Sequence, residues 1–459
     1  MSGMGAGQKP RLREQHAICM VCDFFYPRMG GVEMHIWSLA QCLLKLGHKV
    51  VIITHAYDDR KGIRYMNNGL KVYYCPLLTF FDQDVWPTLF AFFPLFRSIL
   101  IREQINVVHT HQATSVMSIE CALYARTMGY KLVYTDHSLF GFADAASIHI
   151  NQVMRFILSD FDHGICVSNT CRENLALRAR LHPIMLSTIP NAVDPDKFTP
   201  DPSQRRRGDG EDGRINVVIV SRLVYRKGID LVAKVIPVIC ARYPRVHFIV
   251  GGDGNKKLLL EEMREKHQLQ DRVEMLGRVP HVHVRNVLVR GHIFLNCSLT
   301  ESFCIAILEA ASCGLFVVST CVGGVPEVLP PSMTKFAEPT AESIIAAIGA
   351  ALPLAEKVVP AEFHQRVRHM YSWMDVARRT ETVYDRVRES TMPTFAERLW
   401  RYSTVGGTVA GWLCCFTVSV IYLVWRIIEW VWPRDGIELA SNFPTRQHME
   451  DQKSDHGRR

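Results

Sequence analysis

Two successive series of short apolar segments constrain the fold of this 459-residue chain more than any other feature of its sequence. In each series, the apolar segments alternate with stretches whose apolar residues recur at helical spacing. Short apolar strands that alternate with helices are typical of a parallel sheet covered on both faces. We therefore predict two Rossmann-like, doubly wound α/β domains. The predicted strands of the first series are His16–Cys22, Lys49–Thr54, Lys71–Cys75, Asn106–His109, Lys131–Thr135 and Gly164–Val167.

A polar segment, residues 200–214, separates the two series and is predicted to be a linker. Its three arginines, Arg205 to Arg207, are followed at once by glycine and acidic residues, so we expect no nucleic-acid binding. The sequence thus predicts an N-terminal domain over 1–199, a C-terminal domain over 215–372 and further helices over 373–404. The predicted strands of the second series are Ile215–Val220, Val246–Val250, Val273–Leu276, Ile293–Leu295 and Phe316–Ser319. The clearest predicted helices are Val32–Leu46, Asp230–Arg242, Lys256–Lys266, Phe303–Ser312 and Arg366–Arg388.

An uncharged segment near the C-terminus predicts a single transmembrane helix. Val405–Trp425 is long enough to cross a bilayer core of about 30 Å, and its tryptophans are typical of membrane interfaces. The N-terminus lacks the pattern of a signal peptide. We therefore expect the body of the chain to stay in the cytosol and residues 426–459 to form a short tail on the far side.

The segment Leu77–Ile101 is rich in aromatic residues and ends in basic ones, including Phe80, Trp86 and Arg97. Two interpretations stay open at this point. Such a segment can lie on a membrane surface and admit a lipid, or its aromatic side chains can pack in the core.

In the first half, glycines and a histidine follow predicted strands, where a parallel sheet places its ligands. Gly30 and Gly31 precede a helix, so a backbone N–H can approach an oxyanion there. Asp136 and His137 follow the strand ending at Thr135, and His137 can contact a sugar or transfer a proton.

In the second half, Arg222 and Lys227 follow the first strand, where two fixed cations suit a diphosphate leaving group. The stretch Glu301 to Glu309 predicts a helix that begins at Phe303, with Ser302 as its N-cap and free N–H groups facing a phosphate. A glycosidase acid–nucleophile pair is disfavoured for the two glutamates. Their Cα atoms would lie about 12 Å apart along a helix, beyond the roughly 5–9.5 Å that separates glycosidase carboxyls.

Histidine pairs at His109/His111 and His281/His283 resemble partial metal sites. No further ligands at suitable spacing complete a site, so we expect no metal. The cysteines are scattered through apolar segments and are predicted to be reduced, buried thiols.

Taken together, these motifs resemble the retaining glycosyltransferases of family four, which have the GT-B fold. The resemblance covers roughly residues 15–390. The segments 18–33, 108–111 and 134–141 and the C-terminal span resemble, more closely, the PIG-A family, the catalytic subunits of the enzyme that begins glycosylphosphatidylinositol-anchor synthesis.

The resemblance implies UDP-N-acetylglucosamine as the donor, phosphatidylinositol as the acceptor, a multi-subunit complex and the cytosolic face of the endoplasmic reticulum membrane. It implies that the donor contacts Gly30, Gly31, Ser302 and Phe303. By the same resemblance, Arg222 and Lys227 bind the diphosphate, Glu301 the sugar, and Glu309 the ribose, with His137 in the catalytic pocket. It further implies transfer with retention, without a protein nucleophile or a metal.

Two alternatives remain. The chain can be a mannosyl- or glucosyltransferase of the same fold that acts on another lipid, or a membrane scaffold without activity. The joint presence of Arg222, Lys227, Glu301 and Glu309 argues against the scaffold.

Overall fold

Two separate β-sheets, one in each half of the chain, organise this computed structural model, which describes residues 15–141, 145–204, 213–405 and 407–441. Residues 205–212 of the predicted linker, among them Arg205 to Arg207, lie outside the described residues. The strands form where the sequence predicts them, because runs of β-branched residues such as Val50 to Thr54 favour extended backbone. Both faces of each sheet are covered by helices, so the predicted α/β architecture is confirmed.

The sheet of the first half has eight strands in the order β10-β9-β8-β7-β1-β2-β4-β3, and only β3 runs antiparallel to its neighbour. A separate hairpin is formed by β5 and β6. The strands are β1 (Ala17–Val21), β2 (Lys49–His55), β3 (Gly62–Tyr65), β4 (Lys71–Cys75), β5 (Thr79–Phe81), β6 (Asp84–Val85), β7 (Val107–His111), β8 (Lys131–Asp136), β9 (His163–Cys166) and β10 (Leu186–Thr188). The helices are α1 (Gly31–Lys45), α2 (Phe93–Arg102), α3 (Val116–Thr127), α4 (Ala145–Leu158) and α5 (Asn169–Ala179).

The sheet of the second half has six parallel strands in the order β13-β12-β11-β14-β15-β16. The strands are β11 (Ile215–Val220), β12 (Val246–Gly251), β13 (Val273–Gly277), β14 (Ile293–Asn296), β15 (Phe316–Thr320) and β16 (Thr334–Ala337). The helices are α6 (Ile229–Arg242), α7 (Lys257–Lys266), α8 (His281–Leu288), α9 (Ile305–Ser312) and α10 (Ala341–Ala355). The order reverses at β11 and β14, and this switch point is where open α/β sheets bind ligands.

The predicted helix Arg366–Arg388 is wrong in one respect, because the structure divides it into α11 (Pro360–Met370) and α12 (Trp373–Glu389). Tyr371 and Ser372 have extended backbone at the break. Helix α11 packs on α9 in the second half, whereas α12 packs on α1 and β8 in the first half. The break therefore lets the chain return to the first half.

A buried carboxylate fastens the next helix, α13 (Phe395–Val405), to the first half of the chain. Asp160 accepts hydrogen bonds from Arg398 Nε at 2.5 Å and from the Tyr402 hydroxyl at 2.7 Å. Arg126 donates to the same carboxylate from within the first half, at 3.3 Å. All four side chains are buried, so the network fixes α13 through charge-assisted bonds that water does not weaken.

The predicted membrane helix is α14 (Gly407–Val431), the one described helix long and apolar enough to cross a bilayer by itself. It returns along α13, with Cys415 Sγ 3.2 Å from the Leu399 carbonyl oxygen. Near its end, Glu429 forms an ion pair of 2.8 Å with Arg97 of α2. A crossing of the bilayer by α14 would have to release this pair. The predicted crossing and the far-side tail therefore stay predictions.

Each of the two interpretations of the aromatic segment Leu77–Ile101, core packing and an apolar surface, holds for one part of the segment. Phe93 and Phe96 on α2 are buried, and Phe93 stacks on Tyr124 with 4.4 Å between the ring centroids. The earlier part, around the β5–β6 hairpin, leaves Phe80 and Trp86 more than half exposed. The second part of the segment is therefore core, and the first part is an apolar surface.

Candidate active site

The turns that follow β11 and β14 are held together by a glycine that no other residue can replace. Gly228 has φ +67°, and a Cβ atom there would lie 1.8 Å from the Cys297 carbonyl oxygen. Next to this glycine, the Leu299 N–H donates a hydrogen bond of 2.9 Å to the Arg226 carbonyl oxygen and joins the two turns. This close approach brings Lys227, the residue before the glycine, to the turn that carries Glu301.

Lys227 and Glu301 form an ion pair at the carboxyl ends of the second sheet. The Ser298 hydroxyl donates to the same Glu301 oxygen at 2.9 Å. Burial acts to lower the pKa of Lys227, but the charge and hydrogen bond of Glu301 together with the nearby Cys304 outweigh burial and raise the pKa above its usual value. Lys227 is therefore a permanent cation, and it is anchored on one side by Glu301, which Ser298 holds in turn.

Arg222 is exposed in the turn between β11 and Lys227. Its positive charge acts to lower the pKa of Lys227 and also that of Glu33 on α1 of the first half. Arg222 thus lies close to both, at the boundary between the two halves. That Arg222 and Lys227 together bind a diphosphate stays a prediction.

Helix α9 begins two residues later than predicted, at Ile305, and Ser302 is not its N-cap. The N-cap is Cys304, whose backbone is left-handed with φ +71°. Ser302 and Phe303 instead form a tight loop, because Phe303 is buried against Tyr371 at 5.8 Å between ring centroids. The Ser302 hydroxyl is buried without a hydrogen-bond partner among the described residues. The start of α9, at Ile305, follows Glu301 by four residues.

Glu309 lies on α9 and is nearly buried. Its carboxylate accepts a hydrogen bond of 2.9 Å from Nε2 of His281, the first residue of α8. His281 and Glu309 come from different elements and are 28 residues apart, so sequence spacing could not show this pairing.

In the first half, Gly30 and Gly31 form the start of α1, as predicted. Gly30 is the N-cap, with extended backbone. A Cβ atom on Gly31 would meet no atom within 4 Å, so the space beside this backbone is open. Burial raises the pKa of the Glu33 carboxyl in the same helix turn. The space beside Gly31 is therefore open, whereas the Glu33 carboxylate lies against Gly30, 2.6 Å from where a Cβ atom would stand.

His137 belongs to a cluster of three histidines that the sequence did not reveal. His137 Nε2 lies 3.3 Å from Nδ1 of His111, and its ring is 4.6 Å from the ring of His35 between centroids. His35 Nδ1 pairs with Asn191 Oδ1 at 2.7 Å, which makes Nδ1 the protonated nitrogen, since the amide oxygen accepts. The cluster forms because α1, β7 and the loop after β8 meet at one edge of the sheet.

The cluster corrects the expectation that the His109/His111 pair has no third ligand nearby. One nitrogen from each of His35, His111 and His137 lies within 4.8 Å of the others. His109 is engaged elsewhere, by Thr135 and Tyr384 at 2.7 Å each. The expected absence of a metal stays a prediction.

The two halves of the site approach each other at the Gly323–Gly324 turn of the second half. A Cβ atom on Gly323 would lie 2.5 Å from Leu139 Cδ1, two residues beyond His137, and 2.1 Å from the Glu301 carbonyl oxygen. The loop that carries His137 therefore lies beside the loop that carries Glu301.

Buried, uncharged histidines predict that the protein loses stability in mild acid. Burial lowers the pKa of both His35 and His163 from 6.5 to about 4. Because the unfolded chain binds these protons first, the stability is fully present above pH 6.5 and is lost as pH falls toward 4. Each histidine contributes a slope of about 1.4 kcal/mol per pH unit.

Thermal unfolding of the purified protein between pH 7.5 and 4.5 measures this slope. The variant His163→Gln retains a partner for the Ser187 hydroxyl. Its free energy of unfolding should depend less steeply on pH, by about 1.4 kcal/mol per pH unit, the contribution of one histidine. An identical pH dependence of the variant and the wild type would contradict the assignment.

Family models match segments of both halves of the chain. The family model described as PIGA (GPI anchor biosynthesis) matches residues 55–144, and the model for glycosyl transferases group 1 matches residues 201–358. The first match ends just beyond His137, and the second contains Arg222, Lys227, Glu301 and Glu309.

Curated relatives match almost the whole chain. A phosphatidylinositol N-acetylglucosaminyltransferase subunit of Arabidopsis thaliana is 54% identical over 95% of this chain and 95% of its own length. The corresponding subunit of Homo sapiens is 50% identical over 93% of this chain and 87% of its own length.

Solved structures share the fold at low sequence identity. A sucrose-phosphate synthase from Thermosynechococcus elongatus superposes with a TM-score of 0.69 at 19% identity, over 81% of this chain and 99% of that one. An Anabaena protein in complex with UDP-glucose superposes with a TM-score of 0.62 at 16% identity, over 80% and 99%. Both likenesses concern the fold alone.

Proposed function

Because this chain belongs to the PIG-A family of phosphatidylinositol N-acetylglucosaminyltransferase subunits, we propose that it transfers N-acetylglucosamine from UDP-N-acetylglucosamine to phosphatidylinositol. It is a glycosyltransferase with the GT-B fold. This transfer is the first step of glycosylphosphatidylinositol-anchor biosynthesis. The observation that carries the proposal is the meeting of Lys227, Arg222 and the start of α9 at the carboxyl ends of the second sheet.

The second half binds the donor. Lys227 and Arg222 neutralise the charge that grows on the diphosphate as the glycosidic bond breaks, and this lowers the free energy of the transition state. The first N–H groups of α9 face the same phosphates. Glu301 binds sugar hydroxyls through the oxygen that Lys227 leaves free, and Glu309 binds the ribose.

The first half binds the acceptor and closes the catalytic pocket. Gly31 leaves room beside the start of α1 for the diphosphate or the sugar. Gly30 contacts the donor through its backbone, and His137 contacts the sugar. Burial and the neighbouring His35 keep the pKa of His137 well below its usual value, so its imidazole is neutral at pH 7. Transfer proceeds with retention. An acceptor hydroxyl attacks the sugar on the face from which the diphosphate leaves, the bond from the sugar to the diphosphate breaks, and the leaving phosphate takes the hydroxyl proton.

Product analysis tests the function directly. The purified complex, incubated with UDP-N-acetylglucosamine and phosphatidylinositol vesicles, should form N-acetylglucosaminyl-phosphatidylinositol, identified by mass spectrometry. We expect treatment with a chelator to leave the turnover unchanged, since no step uses a metal. Product from a mannosyl or glucosyl donor instead would support the alternative lipid glycosyltransferase, and no product from any donor would support the scaffold.

The chain works at a membrane and with partner subunits. Its curated relatives are named as subunits, so we propose a multi-subunit complex in the endoplasmic reticulum membrane, with the two sheets on the cytosolic side. The proposed membrane face consists of the outward side of α14 and the exposed part of the aromatic segment. Its large exposed residues are Leu78, Phe80, Trp86, Leu89, Trp412, Leu413, Phe416, Leu423 and Trp430.

Removing apolar side chains from this face should release the protein from membranes. A variant with four serines on α14 loses apolar area that a bilayer would bury, so its partition to vesicles should weaken at least about tenfold. The four residues replaced by serine are Trp412, Phe416, Leu423 and Trp430. Sedimentation with phosphatidylinositol vesicles measures the partition.

The control variant carries four serines on exposed apolar positions elsewhere, and it should bind vesicles like the wild type. Those positions are Leu177, Ile184, Leu258 and Val359. Equal weakening in the two variants would show that α14 has no special part in membrane binding.

A further inference from the structure

A chain of three polar side chains ends at the proposed ribose-binding glutamate. Lys197 Nζ lies 2.9 Å from His281 Nδ1, and His281 Nε2 lies 2.9 Å from Glu309 Oε1. Lysine can only donate, so His281 Nδ1 accepts and Nε2 carries the proton that Glu309 receives as a hydrogen bond. The tautomer of His281 is thereby fixed by the geometry.

Lys197 is itself held in place by its neighbours along the chain. The carbonyl oxygen of Phe198, a buried residue, accepts from the Ser312 hydroxyl on α9 at 2.8 Å. Arg285 on α8 donates to the Thr199 carbonyl oxygen at 2.9 Å. The segment 197–199 therefore bridges α8 and α9 and presents the lysine to the outer nitrogen of His281.

We propose that His281, backed by Lys197, is a positioning residue that orients the Glu309 carboxylate toward the ribose hydroxyls of the donor nucleotide. This inference rests on the proposed function. His281 occupies one lone pair of Oε1 and leaves Oε2 to accept from the 2′- and 3′-hydroxyls. A carboxylate held in one orientation loses less freedom on binding, so the nucleotide binds more tightly.

The positioning role predicts an effect that depends on the ribose hydroxyls. His281→Ala should weaken UDP binding about tenfold, the value of one charge-assisted hydrogen bond. It should raise KM for the donor and leave kcat nearly unchanged, because Glu309 lies away from the breaking bond. Binding of 2′,3′-dideoxy-UDP should be the same in the variant and the wild type.

Two further variants separate positioning from simple packing. His281→Gln keeps an N–H donor for Glu309 and should recover most of the affinity for UDP. His283→Ala, on the exposed side of the same helix, is the matched control and should change nothing. Adding Glu309→Gln to His281→Ala should cost no more than Glu309→Gln alone, since both act on the same contact.

Calorimetry on the purified complex decides the outcome. The inference is overturned if His281→Ala weakens UDP and dideoxy-UDP equally, or if it leaves both unchanged while the wild type binds UDP. It is also overturned if kcat falls and KM does not rise. A folded wild type that binds no UDP at all would overturn the proposed function instead.

Discussion

Replacing Lys227 by alanine should reduce sugar transfer by about 10³-fold while the protein stays folded and bound to the membrane. A positioned donor at a developing negative charge contributes about that factor to kcat, and the pKa of Lys227 is raised by Glu301 so that the charge is always present. Without it, the leaving diphosphate lacks its fixed counter-charge. Initial rates with UDP-N-acetylglucosamine and phosphatidylinositol vesicles measure the loss.

The matched control for this variant is Arg226→Ala. Arg226 is the preceding residue in the same turn, and its side chain is exposed, so its removal should change the rate less than about threefold. Full activity of Lys227→Ala would refute the assignment of the donor site. Equal losses of activity in both variants would show that the rate depends on the total positive charge of the turn and not on the position of Lys227.

Replacing Asp160 by alanine should cost about 3–5 kcal/mol of stability, the usual effect of removing one partner from a buried ion pair. The change would leave Arg126 and Arg398 buried without their shared carboxylate and would break the Tyr402 hydrogen bond. Because the network joins α13 to the first half of the chain, α13 and α14 should detach before the sheets unfold. Thermal unfolding and limited proteolysis after α12 measure the two effects.

The control for this variant is Asp82→Ala, which removes an ion pair with Arg28 in which both side chains are about half exposed. Exposed pairs contribute at most about 1 kcal/mol, so this variant should unfold close to the wild type. If Asp160→Ala were as stable as Asp82→Ala, the Asp160 network would not be what holds α13.

The strands could be predicted from the sequence because local composition decides them. The predicted strand Ile215–Val220 has the same bounds as β11 in the structure. An apolar, β-branched run between polar turns strongly favours a buried strand. The start of α9 could not be predicted in this way. Ser302 is a good N-cap by type, but the burial of Phe303 against Tyr371, 68 residues further on, draws both residues into a loop.

The site could be predicted where strand ends carry charged residues, and not where distant elements meet. Arg222, Lys227 and Glu301 follow strands, so their convergence follows from the topology. His35 and His281 lie on helices and meet His137 and Glu309 only through packing, at separations that no spacing rule covers. The sequence therefore predicts only an incomplete metal pair for His281 and no role for His35.

A structure of the complex with UDP bound tests the central claim most directly. We expect the diphosphate within hydrogen-bond distance of Lys227 Nζ and of the first N–H groups of α9, with the ribose at Glu309. Density for UDP at another place, or phosphates that leave Lys227 paired with Glu301 alone, would contradict it.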